Sequence, residues 1–352
     1  MQTDFLIIGG GAVGLTSAQA LLQLGYRVTL VERGETGRES SWAGGGILSP
    51  LCPWDYGEAV TRLALRGMGM FDEAVMLLQA STGIDPEYRR CGMLLLPPFE
   101  EKVALDWCAN HQVAARAVEM ADHLAGQQGR GLLLPDIAQI RNPRLLQALR
   151  ERVMLFGGNI IEQREVLGFK TDGDRVTGLR TSQGELAADA YVVAAGAWSK
   201  VLLGEHACGL EVKPVRGQIL LFKFDMLPFQ RILLRENLYF IPRLDGHVLV
   251  GSTLEDVGFD RSVTDEARES MLRRVRELFP SWPEPIRQWS GFRPGSPDNV
   301  PTIGRHPYLS NLYANTGHFR YGVTMSLASA ELLVNEIEQE PQPFDTAAYR
   351  WR

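Results

Sequence analysis

Cysteine is scarce: four residues in 352, Cys52, Cys91, Cys108 and Cys208, scattered with no C-x-x-C pair. That argues against a disulfide framework or a thiolate metal centre. Histidine is sparse as well, and none of the six is spaced to bring two onto one helical face beside a carboxylate. No metal site is therefore expected. Positive charge is in deficit, with 36 Lys and Arg against 42 Asp and Glu for a formal net charge of -6. The field that would gather phosphate backbones is missing, so nucleic acid is not expected as a partner. No apolar run is long enough to span a bilayer, and Asp4 stands where an export signal would be basic. The chain reads as cytoplasmic, with no stable membrane insertion.

What remains is a chain that is 45% apolar and 22% charged, long enough for a large core and two packed domains. Its start reads as strand (Asp4 to Ile8), turn (Gly9 to Gly14), helix (Leu15 to Leu24) and strand (Arg27 to Glu32). A parallel pair joined by a helix opens a doubly wound α/β sheet. Later the pattern changes. Val103 to Leu124 reads as a helix and its connection, while Gln218 to Phe224, Asn237 to Arg243 and His247 to Thr253 alternate as antiparallel strands. From Leu312 a short strand, a turn over Thr316 to Tyr321 and a helix over Val323 to Glu338 return to the first style. The expected fold is α/β: a discontinuous Rossmann-like cofactor domain (1–80, 135–213 and 291–352) with an inserted α+β substrate domain (81–134 and 214–290) on an antiparallel sheet.

The strongest motif is G-x-G-x-x-G at Gly9, Gly11 and Gly14, between a strand and a helix, with Glu32 ending the next strand 18 residues after Gly14. Gly9 would make the tight turn, Gly11 would let backbone reach a pyrophosphate, and Gly14 would let the helix approach the sheet. Glu32 would accept ribose hydroxyls and disfavours a 2′-phosphate, which leaves FAD or NAD. The fingerprint does not choose between them. Three small-residue turns far downstream favour FAD, because they look built to touch the same extended ligand: SSWAGGG from Ser40, AAGAWS around Gly196, and TGHFRYG at Gly317 to Gly322. The helix after TGHFRYG would turn its positive end towards the flavin, whose reduced form carries negative charge.

Two arginines point to a carboxylate substrate: Arg293 in GFRPGSPDNVPTIG, read as a loop shaped by glycine and proline, and Arg320 in GHFRYG. A rigid guanidinium fork can clamp a carboxylate bidentately, with the hydroxyl of Tyr239 as a possible third donor. Each arginine could equally tie its own loop to backbone carbonyls, and Tyr239 could simply pack. Amine oxidation by flavin needs orientation more than acid or base groups, which suits a chain with no evident catalytic dyad.

The segments DFLIIGGGAVGLTSAQALLQLGYRVTLVER, ESSWAGGGILSP, VVAAGAWS, GFRPGSPDNVPTIGRHP and NTGHFRYGVTMS together resemble the D-amino acid oxidase family of flavoproteins, most nearly its bacterial glycine-oxidising branch in thiamine biosynthesis. The resemblance runs essentially end to end. It implies that Arg293 binds the substrate carboxylate with help from Tyr239 and Arg320, and that the Gly291 carbonyl faces the amine. It also implies FAD against Ala12, Val13, Glu32, Arg33, Ser40, Ser41, Gly45, Gly46, Ile47, Val166, His318, Phe319, Arg320, Tyr321, Gly322, Val323 and Thr324. The implied reaction converts glycine, oxygen and water to glyoxylate, ammonia and hydrogen peroxide, with sarcosine and small D-amino acids as further substrates and a homotetramer as the assembly. No cysteine follows Cys208 to tether the flavin as in monomeric sarcosine oxidases, so FAD is expected to be noncovalent. Leu254 and Ile47 stand where such relatives tend to carry methionine, which leaves the substrate range open. The main alternative keeps the fold but passes electrons to a non-oxygen acceptor, as a D-amino acid dehydrogenase does. An FAD module acting on tRNA and a purely structural flavoprotein are disfavoured by the acidic balance and by the two placed arginines.

Overall fold

The computed structural model of the chain describes residues 3–50, 52–124 and 126–351. Its first sheet has six strands in the order Thr302–Arg305, Leu312–Thr316, Ala190–Val193, Phe5–Ile8, Val28–Val31 and Asn159–Ile161. All neighbours are parallel except the edge pair Thr302–Arg305 and Leu312–Thr316, which is antiparallel. Both faces are covered, which explains why the central strands read as unbroken apolar runs. Phe5 and Ile7 face the helices Ala12–Gln23, Glu58–Thr82, Asn142–Leu155 and Gly322–Glu338. Leu6 and Ile8 face the small antiparallel sheet of Val166–Asp172, Arg175–Thr181 and Gly184–Leu186.

The second sheet has eight strands in the order Arg287–Gly295, Lys213–Lys223, His247–Gly251, Leu238–Pro242, Ile232–Arg235, Met93–Leu96, Arg130–Leu134 and Arg116–Glu119. Its pairs are antiparallel except Ile232–Arg235 with Met93–Leu96, where two separate passages of the chain meet. One face packs the helix Asp265–Leu278 and an aromatic group that includes Phe222, Phe240, Phe279 and Trp282. The other carries Ile219, Tyr239 and Ile241. Among the described residues no helix is long and apolar enough to cross a membrane.

Several elements differ from the sequence reading. The first helix begins at Ala12 rather than Leu15, so Gly14 lies inside its first turn. A Cβ at Gly14 would fall 1.9 Å from the Gly9 carbonyl oxygen, and Gly9 itself turns with φ +114°. Both glycines do the steric work expected of them. The stretch read as a helix and its connection ends in a strand, Arg116–Glu119. The larger correction is at Arg293. It lies not in a loop but in the nine-residue strand Arg287–Gly295, paired with Lys213–Leu221. That strand lacks clean alternation because it sits at the edge of its sheet, where Pro294 is tolerated.

Candidate functional site

One cavity of about 410 Å³ runs between the two sheets. The carboxyl ends of the parallel strands open onto it, which is where open α/β sheets bind ligands. Gly9, Gly11, Ala12 and Val13 line it from the first turn and helix, and Glu32, Arg33, Val166 and Gly196 from the following strands and turns. The Ser40–Ala43 helix and the turn after it contribute Ser40, Ser41, Gly45, Gly46 and Ile47, and the last helix and the turn before it contribute His318 to Thr324. From the second sheet come Tyr239, Gly291 and Arg293. Gly14 is not on the wall, since it packs helix against turn. Leu254 is not brought to the site either: it is 51% exposed, where the chain has left the sheet after Gly251.

The wall is held by its own hydrogen bonds. Glu32 is buried, and its carboxylate accepts the Gly10 amide at 2.8 Å and the Gly34 amide at 3.0 Å. That fixes its orientation and still leaves lone pairs for a hydroxyl. Ser41 Oγ accepts the Ala12 amide at 3.0 Å, and the Ser40 hydroxyl donates to the Phe292 carbonyl, tying the short helix to the Arg287–Gly295 strand. The Gly44–Gly46 turn is anchored from behind: Asn142 donates to the Ser41 and Gly44 carbonyls, and the buried Arg243 donates to the Gly45 carbonyl at 2.7 Å. Desolvation pulls the Arg243 pKa down to about 10. Arg33 lies 3.6 Å over the ring centroid of Trp198, another wall residue.

Four arginines line the cavity: Arg33, Arg164, Arg293 and Arg320. Arg293 donates to Ser252 Oγ at 2.5 Å and to the Thr253 carbonyl at 3.2 Å, and among the described residues it has no carboxylate partner. Its side chain is half-buried at the cavity wall, and desolvation lowers its pKa. Tyr239 opposes that shift and Arg320 adds to it. Its side chain lies across Gly217 on the neighbouring strand, where a Cβ would fall 2.0 Å from Nη1. A carboxylate brought here would meet donors already aligned by the sheet.

The residues present fit a dinucleotide with a flavin. Both helices that open onto the cavity, Ala12–Gln23 and Gly322–Glu338, begin without a side-chain cap. Buried polar atoms on three wall residues, Asn142 Oδ1, Asn315 Oδ1 and His318 Nε2, have no hydrogen-bond partner among the described residues. Burial drives the His318 pKa down to about 3, so its ring is neutral.

Sequence reasoning missed Ser252, Gly217, Asn142 and Asn315. Gly217 carried a signal, since a glycine inside an alternating strand marks a close approach.

A family model described as FAD dependent oxidoreductase (DAO) matches residues 4–336. The chain is 42% identical over 360 residues to a protein of Pseudomonas aeruginosa named glycine oxidase, covering 99% of this chain and 98% of that one. It is 30% identical to the bifunctional protein ThiO/ThiG of Trichormus variabilis, of which the matched part is 54%. Among solved structures, glycine oxidase from Geobacillus kaustophilus superposes with a TM-score of 0.91 at 26% identity, covering 100% of this chain and 98% of that one.

Proposed function

Because the chain belongs to the DAO family of FAD-dependent oxidoreductases, we propose that it oxidises glycine, and secondarily sarcosine and small D-amino acids, with oxygen as the electron acceptor. The products are glyoxylate, ammonia and hydrogen peroxide, and the step serves thiamine biosynthesis. The relatives named glycine oxidase and ThiO/ThiG support this reading. The observation that carries it is Arg293, a cation at the cavity wall with no carboxylate partner among the described residues.

In this reading Gly9, Gly11, Ala12, Val13, Glu32, Arg33, Ser40, Ser41, Gly45 to Ile47, Val166, Gly196 and His318 to Thr324 hold the cofactor, while Gly14 lets the first helix close on the turn. FAD, when bound, supplies the acceptor for hydride from the substrate α-carbon and passes the electrons on to oxygen. The chain's own part is placement. Arg293 takes the substrate carboxylate, with the Tyr239 hydroxyl and Arg320 beside it, and the Gly291 carbonyl accepts from the amine. Two nearby cations lower the pKa of the substrate ammonium, which favours the neutral amine that oxidation requires. The imine released is then hydrolysed to the oxo acid and ammonia.

Replacing Arg293 with Ala removes a charge-assisted contact and leaves the fold's hydrogen bonds otherwise intact. The variant is expected to purify with FAD and to lose glycine turnover by several hundredfold in kcat/KM. Full turnover with unchanged KM would place the carboxylate elsewhere.

A further inference from the structure

The strand His247–Gly251 pairs with Lys213–Lys223 only as far as Gly251 opposite Ile219. The chain then bulges through Ser252, Thr253 and Leu254 and rejoins the same strand at a bridge between Glu255 and Arg216, whose amides and carbonyls exchange two bonds of 2.9 Å. The two acceptors that hold Arg293, Ser252 Oγ and the Thr253 carbonyl, both belong to this bulge. The Thr253 amide donates to the Gln218 carbonyl at a long 3.4 Å, a weak tie by itself, so side chains must fix the shape of the bulge.

The fixing groups lie on the opposite face of the strand. Gly217 leaves one face open to Arg293, and its neighbours Arg216 and Gln218 project the other way. Glu255 Oε2 accepts Arg216 Nε at 2.9 Å and Nη2 at 2.5 Å, and its Oε1 accepts Gln218 Nε2 at 3.0 Å and the Thr253 hydroxyl. Thr253 Oγ1 in turn accepts the Gln218 amide at 2.8 Å. The buried Arg216 is further held by Asp260 and Ser262, at 2.7 Å from Asp260 Oδ2 and 3.0 Å from the Ser262 carbonyl. Thr253 thus connects the two faces: its carbonyl meets Arg293 and its hydroxyl meets Glu255.

We propose that Glu255, acting through the Thr253 hydroxyl and clamped by Arg216, is a positioning residue that sets the Arg293 guanidinium for the substrate carboxylate. It touches neither substrate nor cofactor. The inference rests on the reading of Arg293 as the carboxylate clamp. A loosened bulge would let Arg293 swing between its protein acceptors and the substrate, weakening carboxylate binding while leaving the saturated complex able to react.

The test uses the FAD-loaded enzyme with glycine, together with acetate binding followed by the change in the flavin spectrum. Glu255→Gln and Thr253→Val are each expected to raise KM for glycine and Kd for acetate by about tenfold. In both, kcat should stay within about threefold of the parent, with FAD content unchanged. Thr253→Ser, which keeps the hydroxyl, should restore values within about twofold of the parent. Should Glu255→Gln fail to fold, the Thr253→Val and Thr253→Ser pair decides alone. If both valine and glutamine variants lower only the melting temperature and keep the parent KM and acetate Kd, the proposal is overturned. Arg293→Ala, run in parallel, separates the two claims. Loss of acetate binding there with no effect at Thr253 rejects only the positioning role, whereas retained acetate binding there rejects the clamp itself.

Discussion

His318 shows what burial does to one side chain. Its ring is 2% exposed, and desolvation sets its pKa at about 3 against an ordinary value of 6.5. Between these values the unfolded chain binds a proton that the folded chain does not. The stability tied to the neutral ring is complete above pH 6.5 and is lost as pH falls towards 3. At pH 5 the loss is about 2 kcal/mol, and His306, also lowered by burial, acts in the same direction. The melting temperature is expected to drop between pH 7.5 and pH 5, and to drop less in His318→Gln. An equal drop in the variant would assign the acid sensitivity to other groups. The identity of His318 as a wall residue could be read from its place in the TGHFRYG turn. Its missing partner could not, because that depends on which elements fold over it.

The elements that frame the cavity meet at close approaches. The helix Glu58–Thr82 packs on Gly322–Glu338 at Gly67, where a Cβ would fall 2.1 Å from the Thr324 carbonyl oxygen. A backbone oxygen in a helix cannot move aside, so Gly67→Ala should destabilise by about 1–3 kcal/mol. Thr324 lines the cavity and donates to the Ile47 carbonyl at 3.2 Å, so FAD should also leave the variant faster during dialysis. Gly69 on the same helix meets nothing, and Gly69→Ala should be neutral or gain up to about 1 kcal/mol from helix propensity. Thermal unfolding of the two variants checks this, and a Gly67→Ala variant as stable as the Gly69→Ala variant would show that the helices can separate at no cost. At this scale the sequence was read well where periodicity was local and strong. The strand read over Asp4 to Ile8 and the helix read over Val323 to Glu338 came out close to their observed bounds, Phe5–Ile8 and Gly322–Glu338. Ile232–Arg235, Arg130–Leu134 and Arg287–Gly295 were missed, since short or edge strands take their conformation from partners distant in sequence.

Across the whole molecule the cavity is a joint product of two sheets. The six-stranded sheet brings the glycine turn, Glu32 and the His318–Thr324 turn. The eight-stranded sheet brings Tyr239, Gly291 and Arg293 across from them. The sequence made the first set legible through a motif whose spacing is tied to a strand–turn–helix unit. In the second, Arg293 and Tyr239 were legible as candidate donors, but their meeting and the part of Gly291 came only through family resemblance, since residues 239 and 293 meet only after four strands are ordered side by side. The bulge at Ser252–Leu254 was not legible at all, because it is defined by where pairing stops and resumes. Leu254, taken from family pattern, falls outside the cavity for the same reason.

Oxygen consumption by the purified FAD-loaded protein, measured with glycine, sarcosine, D-alanine and D-proline in turn and with peroxide assayed alongside, is the most direct test of glycine oxidation. Oxygen uptake matched by peroxide is expected, with glycine among the substrates of highest kcat/KM. Flavin bleaching by a D-amino acid without oxygen uptake would contradict it and make the protein a dehydrogenase.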